Sequence, residues 1–365
     1  MEKLQTKEFK PIELPQLPHN SLVSVLIANY NYARYIGEAI ESVLNQTYPH
    51  FEIIVCDDGS TDNSCEVVEA YAQSVPRLKL LHKQNGGVAS ALNAAYQQSS
   101  GQLICLLDAD DVWMANKLQR VIEAFKSDTK CGFVIHNVIQ IDGHGKFIKP
   151  TPMFSKLASG WMAKLALENG EFVETPIPPS SALCFRRQVT DLIFPINEAF
   201  VKNADGLING LALFATVIVP VSEVLSMYRL HGANITGTLS ATADTLESGQ
   251  NARERIHQEQ RRFLIAVYGV QVAEKLTDLK VSLSYLSTRY LLSRLKGAPK
   301  SESREAHRQL VAHPQFGQSV IQRWLLWGEY LPDSIFAALF HFVYGSSRLK
   351  RLVKLVFGGV LNMRH

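Results

Sequence analysis

The sequence predicts an α/β fold: a mostly parallel open sheet flanked by helices, with a C-terminal helical extension. Three observations carry this reading. From Leu22 onward, short β-branched runs alternate with stretches of helical period, the pattern of parallel strands joined by crossover helices. At 365 residues the chain exceeds one typical domain, so a smaller part accompanies the main one. Beyond Thr238 the strand signal stops and the chain reads as polar, then helical to its end. The expected division is an N-terminal tail over residues 1–20, a main domain over 21–237 and a helical region over 238–365.

The elements follow in order. Leu22 to Ala28 is an apolar run of strand length, and Ile36, Ile40, Val43 and Leu44 then share one helical face. Phe51 to Cys56 is the second strand, with Val67, Val68 and Tyr71 marking the helix after it. Leu78 to Leu81 is the third, followed by a helix carrying Val88, Leu92 and Ala95. Gln102 to Leu107 is the fourth and runs directly into Asp108-Ala-Asp110-Asp111, after which Leu118, Val121, Ile122 and Phe125 line a helix. After a strand from Phe133 to Ile141, Asp142-Gly-His-Gly145 reads as a turn between two strands. Pro176, Pro178 and Pro179 break any helix there, so the middle stretch reads as loops. A helix from about Asp205 to Ala215 and strands near Val217 and Val224 close the domain.

Composition bounds the function classes. Hydrophobic content of 46% with 19% charged residues is that of an ordinary globular protein. A net charge of +3 is too mild to imply nucleic acid as a partner. The five cysteines are odd in number, scattered and never spaced CxxC, so they read as small buried hydrophobes of a reducing compartment. The N-terminus carries Glu2, Lys3 and Lys7 and then prolines, unlike a signal peptide. The uncharged runs Gly206 to Ser222 and Ser334 to Ser347 fall short of the roughly 20 apolar residues a membrane span needs.

Open parallel sheets bind ligands at the carboxyl ends of their strands, and every such end in the first half of this chain is polar. The first ends in Asn29-Tyr30-Asn31-Tyr32, the second in Asp57-Asp58-Gly-Ser-Thr61, the third leads to Asn85-Gly86-Gly87, and the fourth ends in the acidic cluster. Each alone has a plain reading, since Asp-Gly and Asn-Gly are turn signals and Asp58 is suited to cap the next helix. Four converging ends are harder to explain as turns. A diphosphate needs its charge neutralised by a glycine-rich cradle or by a carboxylate-held metal. Neither GxGxxG nor GxxxxGK[ST] occurs, whereas Asp108-x-Asp110 at a strand end suits Mg²⁺ or Mn²⁺.

These segments resemble the family 2 glycosyltransferases. The resemblance is carried by Val23 to Asn31, Ile54 to Asp62, Asn85 to Asn93 and Leu106 to Trp113, and reaches Tyr228-Arg229-x-His231-Gly232-x-Asn234 less firmly. It implies a GT-A type nucleotide-diphosphosugar transferase fold and an inverting, metal-dependent transfer from a nucleotide-diphosphate sugar, a UDP-sugar, to a glycan or lipid-linked acceptor. By this resemblance Asp58 would hydrogen-bond the nucleobase, flanked by Ala28 and Tyr30. Asn85, Gly87, Asp108 and Asp110 would complete the donor contacts, Asp108 on the sugar or ribose. The metal would sit on Asp110, Asp111 and His231, with Arg229 near phosphate, and Pro179-Ser180-Ser181 would be an acceptor-side loop.

An inverting displacement needs a base on the face opposite the leaving diphosphate. The family places an acidic residue at the start of a helix, commonly within Glu-Asp. Here the place reads Asn203-Ala204-Asp205-Gly206, which makes Asp205 the candidate, although an N-capping Asp would look the same. Glu198 and Asp191 stand behind it. Processive synthases carry Q-x-x-R-W, whereas Val320 stands where that glutamine belongs before Arg323-Trp324, which points to transfer of one or a few sugars. In Arg348 to Val360, Leu349, Leu352, Val353, Val356 and Val360 share a helical face beside Arg348, Lys350, Arg351 and Lys354. Such a helix suits an anionic membrane or its own domain, so the expected location is cytoplasmic, peripheral at the inner face of the plasma membrane. The sequence leaves two rivals: a catalytically inactive nucleotide-sugar-binding scaffold, and a sugar-nucleotide pyrophosphorylase.

Overall fold

The computed structural model describes residues 8–169, 178–232, 242–317 and 323–344. Four strands build its parallel half: β1 (Val23–Asn29), β2 (Phe51–Asp57), β3 (Leu78–His82) and β4 (Leu103–Leu106). They lie in the order β3-β2-β1-β4, with Val23 beside both Phe51 and Leu103. β2 is buried along its whole length because helices cover both faces, which is why these strands read as unbroken apolar runs. The crossovers are α1 (Ile36–Leu44), α2 (Ser64–Ser74) and α3 (Val88–Gln97). α1 buries Ile36, Ala39, Ile40 and Val43, a spacing that puts four side chains on one face.

After the acidic cluster come β5 (Val112–Trp113), α4 (Lys117–Ser127), β6 (Cys131–Asp142) and β7 (Phe147–Lys149). Then follow α5 (Ala163–Asn169), β8 (Leu183–Arg186), α6 (Arg187–Thr190), α7 (Ala204–Ala215) and β9 (Val217–Leu230). Among the described residues, nine strands form one sheet, which continues from β4 through β8, β6 and β9 to β5. This second half is mixed: β8 runs antiparallel to β4 and β6, and β5 antiparallel to β9, while β6 and β9 are parallel. The two strands expected near Val217 and Val224 are one. β9 passes both positions without a break and absorbs the irregularity as register shifts against β6 around Asn137. Ile27, Val55, Cys105, Trp113, Leu118 and Phe125 belong to the core beneath this sheet.

The segment before β1 is tied down. Ile12 N donates to Ala215 O at 2.8 Å, and Phe9 packs its ring on Trp161 and Tyr268.

The remaining helices are α8 (Ala243–Tyr268), α9 (Val270–Ala273), α10 (Leu283–Leu295), α11 (Lys300–Val311) and α12 (Asp333–Tyr344). The chain divides into two compact units, Met1–Ile235 with Gln258–Leu276, and Thr236–His257 with Thr277–His365. The second has its own core of Leu286, Tyr290, Leu291, Ala306, Leu310, Leu325, Phe336 and Phe340. No helix among the described residues is long and apolar enough to cross a membrane. The basic stretch Arg348 to Val360, together with Pro176, Asn234, Val320 and Gln322, lies outside the described residues.

Candidate active site

The carboxyl ends of β1 and β2 are bound to each other through side chains. Asn29 Nδ2 donates to Asp57 Oδ2 at 2.7 Å, and Asn31 Oδ1 accepts from Thr61 N at 2.7 Å. Asn31 adopts a left-handed φ of 60°, a conformation Asn tolerates better than most residues. Ala28 is partly exposed and Tyr30 is exposed, beside this junction. Asp58 does not cap the next helix, whose N-cap is Asn63. Its carboxylate instead crosses to the loop after β3. Oδ1 accepts from Lys83 Nζ at 2.7 Å and Oδ2 from Gly87 N at 2.7 Å, with Gly86 N between them. Of these three donors Lys83, on its flexible stem, is the one able to yield to a further donor reaching Asp58. Asn85 is exposed at the tip of that loop.

At the end of β4 three carboxylates crowd together. Burial, then Asp110, then Asp205 push the Asp108 carboxyl up to about 8. Burial raises Asp110 too, against the opposing pull of His231. Asp111 has no exposed surface and is raised by burial, Asp110 and Asp108. Such mutual elevation is what like charges in a desolvated place produce, and a cation would relieve it. Asp110 Oδ2 meets His231 Nε2 at 2.9 Å, and the His231 ring packs against those of both Tyr32 and Tyr35.

Asp111 is occupied differently. Its Oδ1 accepts from Arg229 N at 2.8 Å, while Oδ2 is buried without a hydrogen-bond partner. Arg229 is 1% exposed; its Nε donates to Asp110 O at 2.7 Å and its guanidinium reaches Glu38 at 2.5 Å. The expected trio Asp110, Asp111 and His231 therefore does not converge. The structure pairs Asp110 with His231 and ties Asp111 to the β9 backbone. Carboxylates with one imidazole are fitting donors for Mg²⁺ or Mn²⁺, and the orphaned Asp111 oxygen and the raised carboxyls fit a bound cation.

Beneath the cluster, Ser181 is a pin. Its carbonyl accepts from Trp113 Nε1 at 3.1 Å, Lys117 Nζ at 2.7 Å and Ser226 Oγ at 3.0 Å. Its hydroxyl accepts from Asp108 N at 3.0 Å. Lys117 is wholly buried, 3.3 Å from the Trp113 ring centre, and burial pulls its ammonium down to about 8. The Pro179–Ser181 segment is thus fastened to the floor of the site. Neither Lys117 nor Glu38 was marked by the sequence, since nothing in a helix-opening Asn-Lys-Leu or a Gly-Glu-Ala tells where its polar group goes.

Asp205 lies one residue inside α7, whose N-cap is Asn203, so it is not the capping residue. Its charge contributes to raising Asp108, after burial and Asp110, and burial raises Asp205 itself. The alternatives are engaged elsewhere. Asp191 accepts from Tyr96 OH at 2.5 Å, and Glu198 from Asn93 Nδ2 at 3.3 Å.

The profile of "Glycosyl transferase family 2" matches residues 24–194. An uncharacterized glycosyltransferase of Nostoc sp. is 38% identical over 272 residues, covering 73% of this chain and 82% of that protein. The chain belongs to glycosyltransferase family 2. This family 2 glycosyltransferase is also 39% identical over 133 residues to the UDP-Glc:alpha-D-GlcNAc-diphosphoundecaprenol beta-1,3-glucosyltransferase WfgD of Escherichia coli, covering 35% of this chain and 51% of WfgD. Among solved structures, a mannosyltransferase of Pyrobaculum calidifontis in complex with GDP-Man and Mn²⁺ superposes with a TM-score of 0.51 at 18% identity, over 96% of this chain and 88% of that one. The transferase therefore has the GT-A fold, a mixed α/β sheet flanked by helices and followed by a helical region.

Proposed function

We propose that this glycosyltransferase moves a sugar, with inversion and without processivity, from a UDP-sugar to a hydroxyl of a glycan or lipid-linked glycan in cell-envelope polysaccharide synthesis. The observation that supports the reading is the Asp110–His231 pair beside the crowded carboxyls of Asp108 and Asp111, with Asp205 adding to the elevation of Asp108. A base opposite an anion-binding cluster is the arrangement a direct displacement needs. The donor and the lipid-linked acceptor named for WfgD support the same choice of partners.

In this reading Asp110 and His231 hold the cation, with Asp111 behind them on the Arg229 backbone. When bound, Mg²⁺ or Mn²⁺ supplies charge neutralisation for the departing diphosphate. Asp108 meets the sugar or ribose, and Asp58 aligns the Asn85–Gly87 loop and meets the base as Lys83 yields. Ala28 and Tyr30 flank that base. Asp205, made more basic by burial, takes the acceptor hydroxyl proton as the acceptor oxygen bonds to the anomeric carbon. The bond from that carbon to the diphosphate oxygen breaks, and nucleoside diphosphate leaves. The protein would work at the cytoplasmic face of the membrane, with the Arg348–Val360 stretch on anionic lipid.

Calorimetric titration of UDP, GDP and dTDP with and without Mn²⁺, on wild type and Asp110→Ala, tests the donor site. Binding of UDP that needs both the metal and Asp110 is expected; no metal-dependent binding of any of the three defeats the reading. Asp205→Asn is expected to bind donor normally yet lose transfer by at least about 100-fold, the low end of what a positioned base contributes.

A further inference from the structure

We propose that Asp57, Cys65 and His82 form a second metal site, for a thiophilic divalent cation of the Zn²⁺ class, distinct from the acidic cluster at Asp108–Asp111. Three elements bring them together: the end of β2, the first turn of α2 and the end of β3. Asp57 and His82 are direct partners in the parallel β2–β3 register. One ligand atom from each residue lies within 4.8 Å of the other two, and Cys65 Sγ stands 3.4 Å from His82 Nδ1. Tetrahedral zinc takes thiolate, imidazole and carboxylate at about 2.0–2.3 Å, so the three need draw in only by side-chain rotation. Sulfur with nitrogen selects against Mg²⁺, Mn²⁺ and Ca²⁺, which prefer oxygen.

The groups around the three ligands are those a metal site requires. His82 Nε2 faces Glu69 Oε1 at 3.4 Å. In the tautomer that carries its proton on Nε2, the ring would turn that proton toward Glu69 and the Nδ1 lone pair toward Cys65. Asp57 is fixed by Asn29 Nδ2 at 2.7 Å, Ser60 N at 2.9 Å and Ser60 Oγ at 2.6 Å. Access comes from the His82 side, where the imidazole is 51% exposed and Cys65 partly so. Without a cation the Cys65 thiol is pushed up to about 12, by burial and by its hydrogen bond to Asp57. Binding therefore breaks the S–H bond, forms sulfur–metal in its place and releases one proton to solvent, with no change of oxidation state. The fourth position is left to water. Because Asp57 precedes Asp58, an occupied site would stiffen the strand end that aligns the Asn85–Gly87 loop.

Titration of the full chain with Co²⁺ tests this, since a cobalt–thiolate bond adds a charge-transfer absorption in the near ultraviolet that oxygen ligands do not give. The band is expected at one equivalent, displaced by Zn²⁺, unchanged in Asp110→Ala and lost in Cys65→Ser. Glu69→Gln is expected to weaken Zn²⁺ binding about 10–100-fold. No band in the wild type, or a band that survives Cys65→Ser, overturns the site. If circular dichroism shows Cys65→Ser unfolded, His82→Ala decides instead: unchanged cobalt affinity in that surface variant overturns it equally.

Discussion

Arg229 sits at the edge of a recognisable motif but acts as its anchor, holding the Asp110 carbonyl, the Asp111 carboxylate through its own backbone, and Glu38. Truncation removes a buried donor, a loss worth about 1–3 kcal/mol. Arg229→Ala is expected to lower the denaturant midpoint accordingly and to weaken Mn²⁺-dependent UDP binding; intact binding would show that the acidic cluster holds its shape unaided. Lys117 makes a pH prediction. Its folded value is lowered from 10.5 to about 8. Between those values the unfolded chain binds more protons than the folded one, so this residue's contribution to stability rises with pH. In Lys117→Met that rise disappears, and melting curves of variant and wild type should shift in the wild type's favour from pH about 8 upward. A pH-independent difference would contradict the buried, depressed ammonium. The acidic cluster was legible because carboxylates at a strand end have few structural uses. Lys117 and Glu38 were not, because the burial of a polar group depends on what a distant segment, here Ser181 or Arg229, brings to it.

At the scale of elements, β1 to β4 could be read because each is an apolar run between turn signals. β8 could not, being four residues, Leu-Cys-Phe-Arg, directly after prolines that mark loops. β5 is two residues long and forms only because β9 passes beside it. β9 joins the two strands expected near Val217 and Val224, and the sheet tolerates Pro220 between them, opposite Ile135. The β3–α3 loop supports a sharper test. Gly87 has φ +86° and ψ 171°, and a Cβ there would lie 2.7 Å from the Val201 side chain. Gly269 has nearly the same backbone, φ 92° and ψ 166°, with nothing within 4 Å of its Cβ position. Both replacements incur the strain of a glycine-only conformation, about 1–3 kcal/mol, but only Gly87→Ala also collides. Gly87→Ala is therefore expected to cost more in chemical denaturation than Gly269→Ala, and to loosen UDP because its amide holds Asp58. Equal costs would mean that Val201 moves freely.

At the scale of the whole molecule, the chain has two compact units with separate cores. Every residue assigned to donor, metal or base belongs to Met1–Ile235, whereas Tyr290, Leu310, Phe336 and Phe340 build a second interior that contains none of them. The sequence placed a helical region there from periodicity, but could not show α8 passing through both units, because a continuous helical pattern carries no mark of which core each turn serves. Phe336 is fully buried, edge-on to Tyr290 at 5.7 Å and 5.0 Å from the Trp324 ring. Phe336→Ala empties that centre at a cost of about 3–5 kcal/mol. Since the loss falls on the second core, the expected result is a calorimetric transition that moves down for that unit, while Mn²⁺-dependent UDP affinity measured below it stays at the wild-type value. Ile27→Ala, which opens a cavity under β1, should instead weaken UDP binding directly. If Phe336→Ala abolishes UDP binding while the first unit still melts cooperatively, the donor site depends on the helical unit.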